Sequence, residues 1–404
     1  MHIPHVLSPR LDGGVFRVLA SGIVALAVAM GVGRFAFTPL LPLMLRDGTL
    51  SAVGGAEWAA ANYVGYLAGA LTASAFVAAP LRGLLIALVG VAISTVAVGL
   101  VDDGAQAAGA GMRALAGVFS AWTLICASAW CLPYLANRRM THLGAWIYTG
   151  VGLGIALIGA VAWIGGTQPA RWLWLELGAL ACFGAGIVAW LTVPLPAPES
   201  SKAQRGKSRA TARGVWRRHA SLLFCYAAFG FGYIVPATFL PAMAREHTSN
   251  PFVFGLAWPL FGLAAFASVA ASARWLAEWP RARVWALAQA VMAFGTGLTL
   301  VTSQIAVLAV TAVLVGGTFM VTTMAGLQLA RELEPRSPAP LLAALTVAFA
   351  LGQIAGPVVI RLLGPGLRGG WDALAWASGA ATALLAGSSL WLWHFRKSDQ
   401  TFVS

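Results

Sequence analysis

Twelve runs of about twenty apolar residues leave this chain one place to fold, the interior of a bilayer, because a helix needs about that length to cross the hydrocarbon core. The runs lie near residues 18–45, 52–79, 83–101, 111–135, 143–165 and 172–193, and, after a polar break, near 220–244, 252–273, 283–302, 304–330, 341–363 and 371–394. Only 10% of the residues are charged, against roughly 25% in a soluble domain. The expected fold is all-α and polytopic, with twelve transmembrane helices. The loops are mostly three to ten residues long, too short to house an extramembrane active site or binding module. Whatever the protein does happens among its helices. The first run follows Arg10 and Arg17 and continues for about 28 residues, longer than the core of a cleavable signal peptide, so the N-terminus is expected to be retained.

The net charge of +13 acquires meaning once the basic residues are sorted by side. Nineteen of the 26 fall on the face shared by the termini and the 194–218 stretch; Arg46, Arg171, Arg245, Arg361 and Arg368 fall on the other, and Arg34 and Arg113 sit inside segments. By the positive-inside rule both termini are cytoplasmic, in a bacterial inner membrane. Topology therefore accounts for the basic balance, and no nucleic-acid partner is called for. The four cysteines, Cys126, Cys131, Cys182 and Cys225, lie within apolar runs without metal-ligand spacing and read as small core residues.

The stretch from Pro194 to Arg218 is the only long polar one. It divides the chain into an N-terminal six-helix bundle (1–193), a basic cytoplasmic linker (194–218) and a C-terminal six-helix bundle (219–404). Sliding the second half back by 199 residues places Gly31, Gly33, Leu41, Pro42 and Met44 on Gly230, Gly232, Leu240, Pro241 and Met243. At an offset of 200, Trp58 falls on Trp258, Gly117 and Phe119 on Gly317 and Phe319, and Gly152 on Gly352. Glycine, proline and tryptophan agreeing at nearly one register on four helices point to a duplicated unit. Two six-helix halves of like orientation, related by an axis along the membrane normal, are the major facilitator plan, which places the site between the halves near mid-bilayer.

The run GVGRFAFTPLLPLM resembles the first helix of the YbfB/YjiJ family of major facilitator superfamily transporters. The likeness recurs in NYVGYLAGAL, GGTFMVTTMAGLQLAREL and TVAFALGQIAGPVV and so covers the whole chain. Arg113 and Gly117 resemble the RxxxG motif of the wider superfamily. The short loop Ala79-Pro80-Leu81-Arg82-Gly83 lacks the acid usual in the superfamily, and ARWLAEWPRAR has Pro280 where a glycine is usual. The resemblance implies transport and leaves the substrate open.

Arg34 is the first candidate, since a cation well inside a membrane helix costs roughly 2.5–3.5 kcal/mol on insertion scales. Two readings are open: a substrate ligand facing a cavity, helped by backbone loosened at Gly31, Gly33, Pro39 and Pro42, or a structural arginine that snorkels outward or pairs with Glu57 or Glu176. Arg113 is either an interfacial anchor or a second cavity cation. Neither has a basic counterpart in the second half, where Tyr233 and Val313 hold the repeat positions, so the cavity should be asymmetric. Asn62, Gly65, Tyr66 and Gly69 share one helix face, which could line the cavity or pack against a neighbour. Asn62, Tyr66, Tyr233, Gln289, Thr322 and Gln353 complete the expected substrate-contact set, with Thr318 and Thr346 as further polar positions. Gly31, Gly33, Pro39, Gly152, Gly230, Gly232, Pro236, Gly352 and Gly356 are expected hinge and packing positions. Glu176 is the only acid clearly within a segment and the candidate for proton coupling; sodium coupling and facilitated exchange stay open.

The reading is a secondary transporter that moves a small organic solute by alternating access, leaning toward an anionic or aromatic-carboxylate solute or an amphiphile. It acts as a monomer in contact with membrane lipid, with a proton or sodium as coupling ion and no cofactor or metal. A membrane-embedded transferase would need clustered acids, histidines or metal ligands at one face. A non-transporting sensor or receptor would need a signalling domain or a long ordered tail.

Overall fold

The computed structural model describes residues 13–76, 78–101, 105–193, 212–247, 255–276, 278–302, 304–335, 339–364, 366–367 and 369–395. Twelve long helices carry it: α1 (Gly13–Arg46), α2 (Ala52–Thr72), α3 (Pro80–Leu100), α4 (Gln106–Asn137), α5 (Thr149–Ile164, entered through a 3-10 stretch Thr141–Tyr148), α6 (Ala170–Thr192), α7 (Ala220–His247), α8 (Ala257–Trp275), α9 (Arg281–Val301), α10 (Ile305–Leu333), α11 (Ala339–Leu363) and α12 (Ala373–His394). Of the stretch at 194–218, residues 194–211 lie outside the described residues and Ala212–Arg218 forms a short helix.

Ten of the twelve are apolar and long enough to cross a membrane by composition alone; α2 and α8 are not among them. The reason lies in their composition. Helix α2 buries Asn62, Tyr63 and Tyr66 against other helices, and α8 carries Gly262, Ser268 and Ser272 among many alanines. Small and polar residues at such helix contacts lower the hydropathy of the whole segment.

The packing repeats itself. In the first half α2 packs on α4, α3 on α4 and α6, and α1 on α5; in the second α8 packs on α10, α9 on α10 and α12, and α7 on α11. The halves meet where α5 lies on α8 and α2 on α11, two contacts that exchanging the halves interconverts. The result is the expected pair of pseudo-symmetric six-helix bundles.

Glycines fix the closest approaches. A Cβ on Gly117 would sit 2.1 Å from the Asn62 carbonyl oxygen, and one on Gly316 would sit 2.4 Å from that of Phe261. Gly117 and Gly316, like Asn62 and Phe261, are 199 residues apart. Gly317, which the 200-residue register aligns with Gly117, has nothing nearer than 3.8 Å. On this helix pair the structural repeat therefore follows the 199-residue register. Between the halves, Gly152 lies against the Phe266 backbone, Gly159 against Pro259 and Gly262 against the Ala156 backbone.

Candidate functional site

Helix α1 is not one continuous α-helix. Ala27–Phe35 winds as a π-helix between two α-helical stretches, Gly13–Leu26 and Phe37–Arg46. In the i→i+5 register of a π-helix the Arg34 carbonyl would be served by residue 39, which is proline and has no N–H. Wide turns near a proline leave carbonyls that something else must satisfy. Arg113 of α4 does so: its Nη1 donates to Gly33 O at 3.1 Å and its Nη2 to Arg34 O at 3.0 Å. Asn62 adds a third donor, with Nδ2 at 3.2 Å from Gly33 O and 2.8 Å from Arg113 O.

Small residues permit this convergence. A Cβ on Gly31 would lie 2.8 Å from the Gly154 carbonyl carbon, and one on Gly33 would lie 2.3 Å from Ser120 Oγ. The face Asn62, Gly65, Tyr66 and Gly69 divides its work. Gly65 and Gly69 lie against the backbones of Ala114 and Val118, while Asn62 and Tyr66 turn toward the two arginines.

The side chain of Arg34 is 3% exposed. Its guanidinium carbon stands 3.9 Å from the centre of the Tyr66 ring, with Phe35, Phe349 and Tyr63 at 5.5, 5.9 and 6.0 Å. Nη2 donates to Gln353 Oε1 of α11, across the boundary between the halves. Gln353 in turn donates from Nε2 to the Tyr233 hydroxyl of α7 at 3.0 Å. Tyr233 lies nearly parallel to Phe319 and Phe349, at ring separations of 5.4 and 5.7 Å. Arg34 and Tyr233, the repeat-equivalent pair, thus meet on one glutamine.

Two nitrogens of Arg34, Nε and Nη1, are buried without a hydrogen-bond partner. Glu57 pairs instead with Arg361 at 3.8 Å. Among the described residues no ion pair involves Arg34 or Arg113, and no carboxylate is buried. A narrow cleft lies beside Arg34, lined by Asn62, Tyr63 and Arg113 from the first half and Ile234, Ala237 and Thr238 from the second. It has room for about one water and is far smaller than the roughly 300–1,000 Å³ of ligand pockets, so the site is closed in this conformation. Tyr63 and Thr238 close it with hydroxyls 3.4 Å apart.

Arg34, Asn62, Tyr66, Arg113, Tyr233 and Gln353 are therefore gathered at one place. Gln289 is not. It is buried between α9 and α12, accepting from Trp285 Nε1 at 2.5 Å and donating to Ser388 Oγ. Thr322 is buried with its hydroxyl unpartnered. Thr318 and Thr346 each bond a carbonyl of the preceding turn of their own helices. Glu176 is exposed on α6 and does not line the cleft. Among the packing positions, Gly230 lies against Phe349 O, Gly232 against Leu385, Gly352 against Ala227 O and Gly356 against Ile234, while α7 runs through Pro236 without interruption. The aromatic wall formed by Phe319 and Phe349 was not legible from spacing, because its members come from separate helices.

Two helix bundles enclosing a buried, positively charged centre at their shared boundary define a membrane transporter of the major facilitator type. Residues 26–390 match the family described as uncharacterised MFS-type transporter YbfB, and the chain belongs to that family. Among solved structures, the partially occluded inward-open xylose transporter XylE from E. coli superposes with a TM-score of 0.72 at 13% identity, covering 97% of this chain and 98% of that one. A point mutant of the nucleoside transporter NupG gives 0.71 at 13% identity over 93% and 98%, and a D-xylose-proton symporter 0.71 at 14% over 95% and 97%. At such identities the likeness shows the fold alone. No curated protein matches the chain.

Proposed function

We propose that this chain is a secondary transporter of a small organic anion, working by alternating access. The observation that carries the reading is Arg34: a buried guanidinium with two bare nitrogens and no carboxylate partner among the described residues. An uncompensated charge in a low-dielectric interior is costly, and an anionic solute is what offsets it. With no buried carboxylate among the described residues, the compensating negative charge is assigned to the solute rather than to a titrating side chain. The structural neighbours named for D-xylose act on an uncharged sugar, so the charge of this site, and not the fold, argues for an anion.

In this reading the bundles 1–193 and 219–404 rock about the α5–α8 and α2–α11 contacts, joined by the 194–218 linker. The chain works as a monomer in the inner membrane with both termini cytoplasmic. A proton or sodium ion moves with the solute, or solute exchanges for solute.

The test is flux in proteoliposomes across a panel of organic anions, cations and neutral solutes. Uptake of anions by the wild-type protein and its loss in Arg34→Ala, at equal membrane insertion, supports the reading. Transport confined to cations or neutral solutes, or equal anion flux in Arg34→Ala, overturns it.

A further inference from the structure

We infer that Gln353 is an internal stand-in for the substrate: in the empty protein its amide oxygen occupies the seat on Arg34 that one oxygen of a monocarboxylate takes when solute binds. The inference rests on the anion reading above and deepens it.

A guanidinium receives a carboxylate as a two-pronged fork along one of two edges, Nη1 with Nη2 or Nε with Nη2. Nη2 presents one N–H to each edge, and Gln353 Oε1 occupies one of the two. The two nitrogens left bare, Nε and Nη1, are those that would complete either fork. A carboxylate seated on the edge that Gln353 holds gains its second hydrogen bond only when Gln353 withdraws. The exchange favours the anion, because an amide oxygen supplies a hydrogen bond without charge, whereas a carboxylate supplies both.

The surroundings bound the solute further. Arg113 is held by two main-chain carbonyls, Gly33 O and Arg34 O, and keeps only Nε without a partner. Arg34 is the guanidinium that no main-chain carbonyl holds, so one carboxylate is assigned to it. The rings of Phe35, Phe37 and Tyr63 line the cleft beside it, and Tyr66 and Phe349 lie against the guanidinium itself. These offer a flat apolar body dispersion and stacking, and a polyol few partners. The class indicated is an aromatic or flat hydrophobic monocarboxylate.

Gln353 and Arg34 belong to opposite halves, so the same bond is a strut between the bundles. Solute entry breaks that strut and couples occupancy to the relation of the halves.

The experiment uses the purified full chain in detergent, with benzoate, phenylacetate and the dianion terephthalate as probes in calorimetry and thermal-shift titrations. Removing the stand-in with Gln353→Met, which keeps the volume and drops the acceptor, should tighten benzoate or phenylacetate binding by about tenfold, the worth of one hydrogen bond near 1.4 kcal/mol. Gln353→Ala should do the same, and terephthalate should gain nothing. Gln353→Glu brings its own carboxylate to Arg34; it should abolish monocarboxylate binding and raise the melting temperature of the unliganded protein. Arg34-dependent binding that is unchanged or weaker in both Gln353→Met and Gln353→Ala overturns the stand-in role and leaves the anion reading intact. Monocarboxylate binding by neither wild type nor these two variants, with each variant monodisperse, overturns the seat itself.

Discussion

The Nη2 atom of Arg113 donates to the main-chain oxygen of Arg34 at 3.0 Å, so that one buried cation holds the backbone that presents the other. The carbonyl it satisfies lies five residues before Pro39, where the widened helix has no N–H to offer. Arg113 is in this sense a support for the site.

Arg113→Leu should therefore destabilise the protein by about 1–3 kcal/mol for the buried carbonyl left unserved. Gly33 O keeps its bond from Asn62, so the loss concerns mainly Arg34 O. Arg113→Gln can still donate to one carbonyl and should recover part of the loss. Thermal unfolding in detergent measures both. Equal melting temperatures for wild type and Arg113→Leu would remove the support role.

The Tyr66 ring lies 3.9 Å from the Arg34 guanidinium carbon, a contact worth about 2 kcal/mol when both groups are desolvated. Tyr66→Phe keeps the ring and should leave anion flux within about twofold, which corresponds to less than 0.5 kcal/mol. Tyr66→Leu should cut flux or stability by about the full contact. A Phe variant as damaged as the Leu variant would mean that the hydroxyl, and not the ring face, is what matters.

The two copies of the α2–α4 contact supply a matched set. Gly117→Ala and Gly316→Ala each drive a methyl to within 2.1 and 2.4 Å of a backbone oxygen and should cost at least about 1–3 kcal/mol through overpacking. Gly317→Ala meets only ordinary contacts at 3.8 Å and should be tolerated. Expression and thermal stability of the three variants decide the matter. Gly317→Ala failing while Gly316→Ala folds would reverse the register assigned here.

Glu57 and Arg361 join α2 to α11 at 3.8 Å, with side chains 53% and 70% exposed. A pair so solvated contributes about 0–1 kcal/mol. Glu57→Gln should shift the melting temperature little, with any effect fading as salt rises. A large salt-independent loss would assign this pair a structural role that its exposure does not suggest.

Much of this is legible in the sequence alone. The apolar runs gave the helix count, and Arg34 stood out because a cation has no reason to lie inside a membrane helix unless something uses it. The bilayer makes such signals loud. Partner choice is quieter. Gln289 and Gln353 look alike as glutamines in apolar helices, yet one bridges α9 to α12 and the other reaches Arg34. Which face each occupies depends on helix rotation, and uniformly apolar neighbours do not encode that. The doublet Gly316–Gly317 concealed the packing register for a related reason: either glycine satisfies the pattern, and only the Phe261 backbone distinguishes them. The widened turn in α1 was foreshadowed by Gly31, Gly33 and Pro39, but its use as a docking point for Arg113 needed the fourth helix in place.

At the α5–α8 boundary, Gly152, Gly159 and Gly262 bring one main chain directly against another. At these three positions no side chain stands between the two bodies, so nothing there must unhook or change rotamer for one to roll on the other. Smooth bearings of this sort tolerate repeated small rotations with little friction, and they do so only while every bearing residue stays without a side chain.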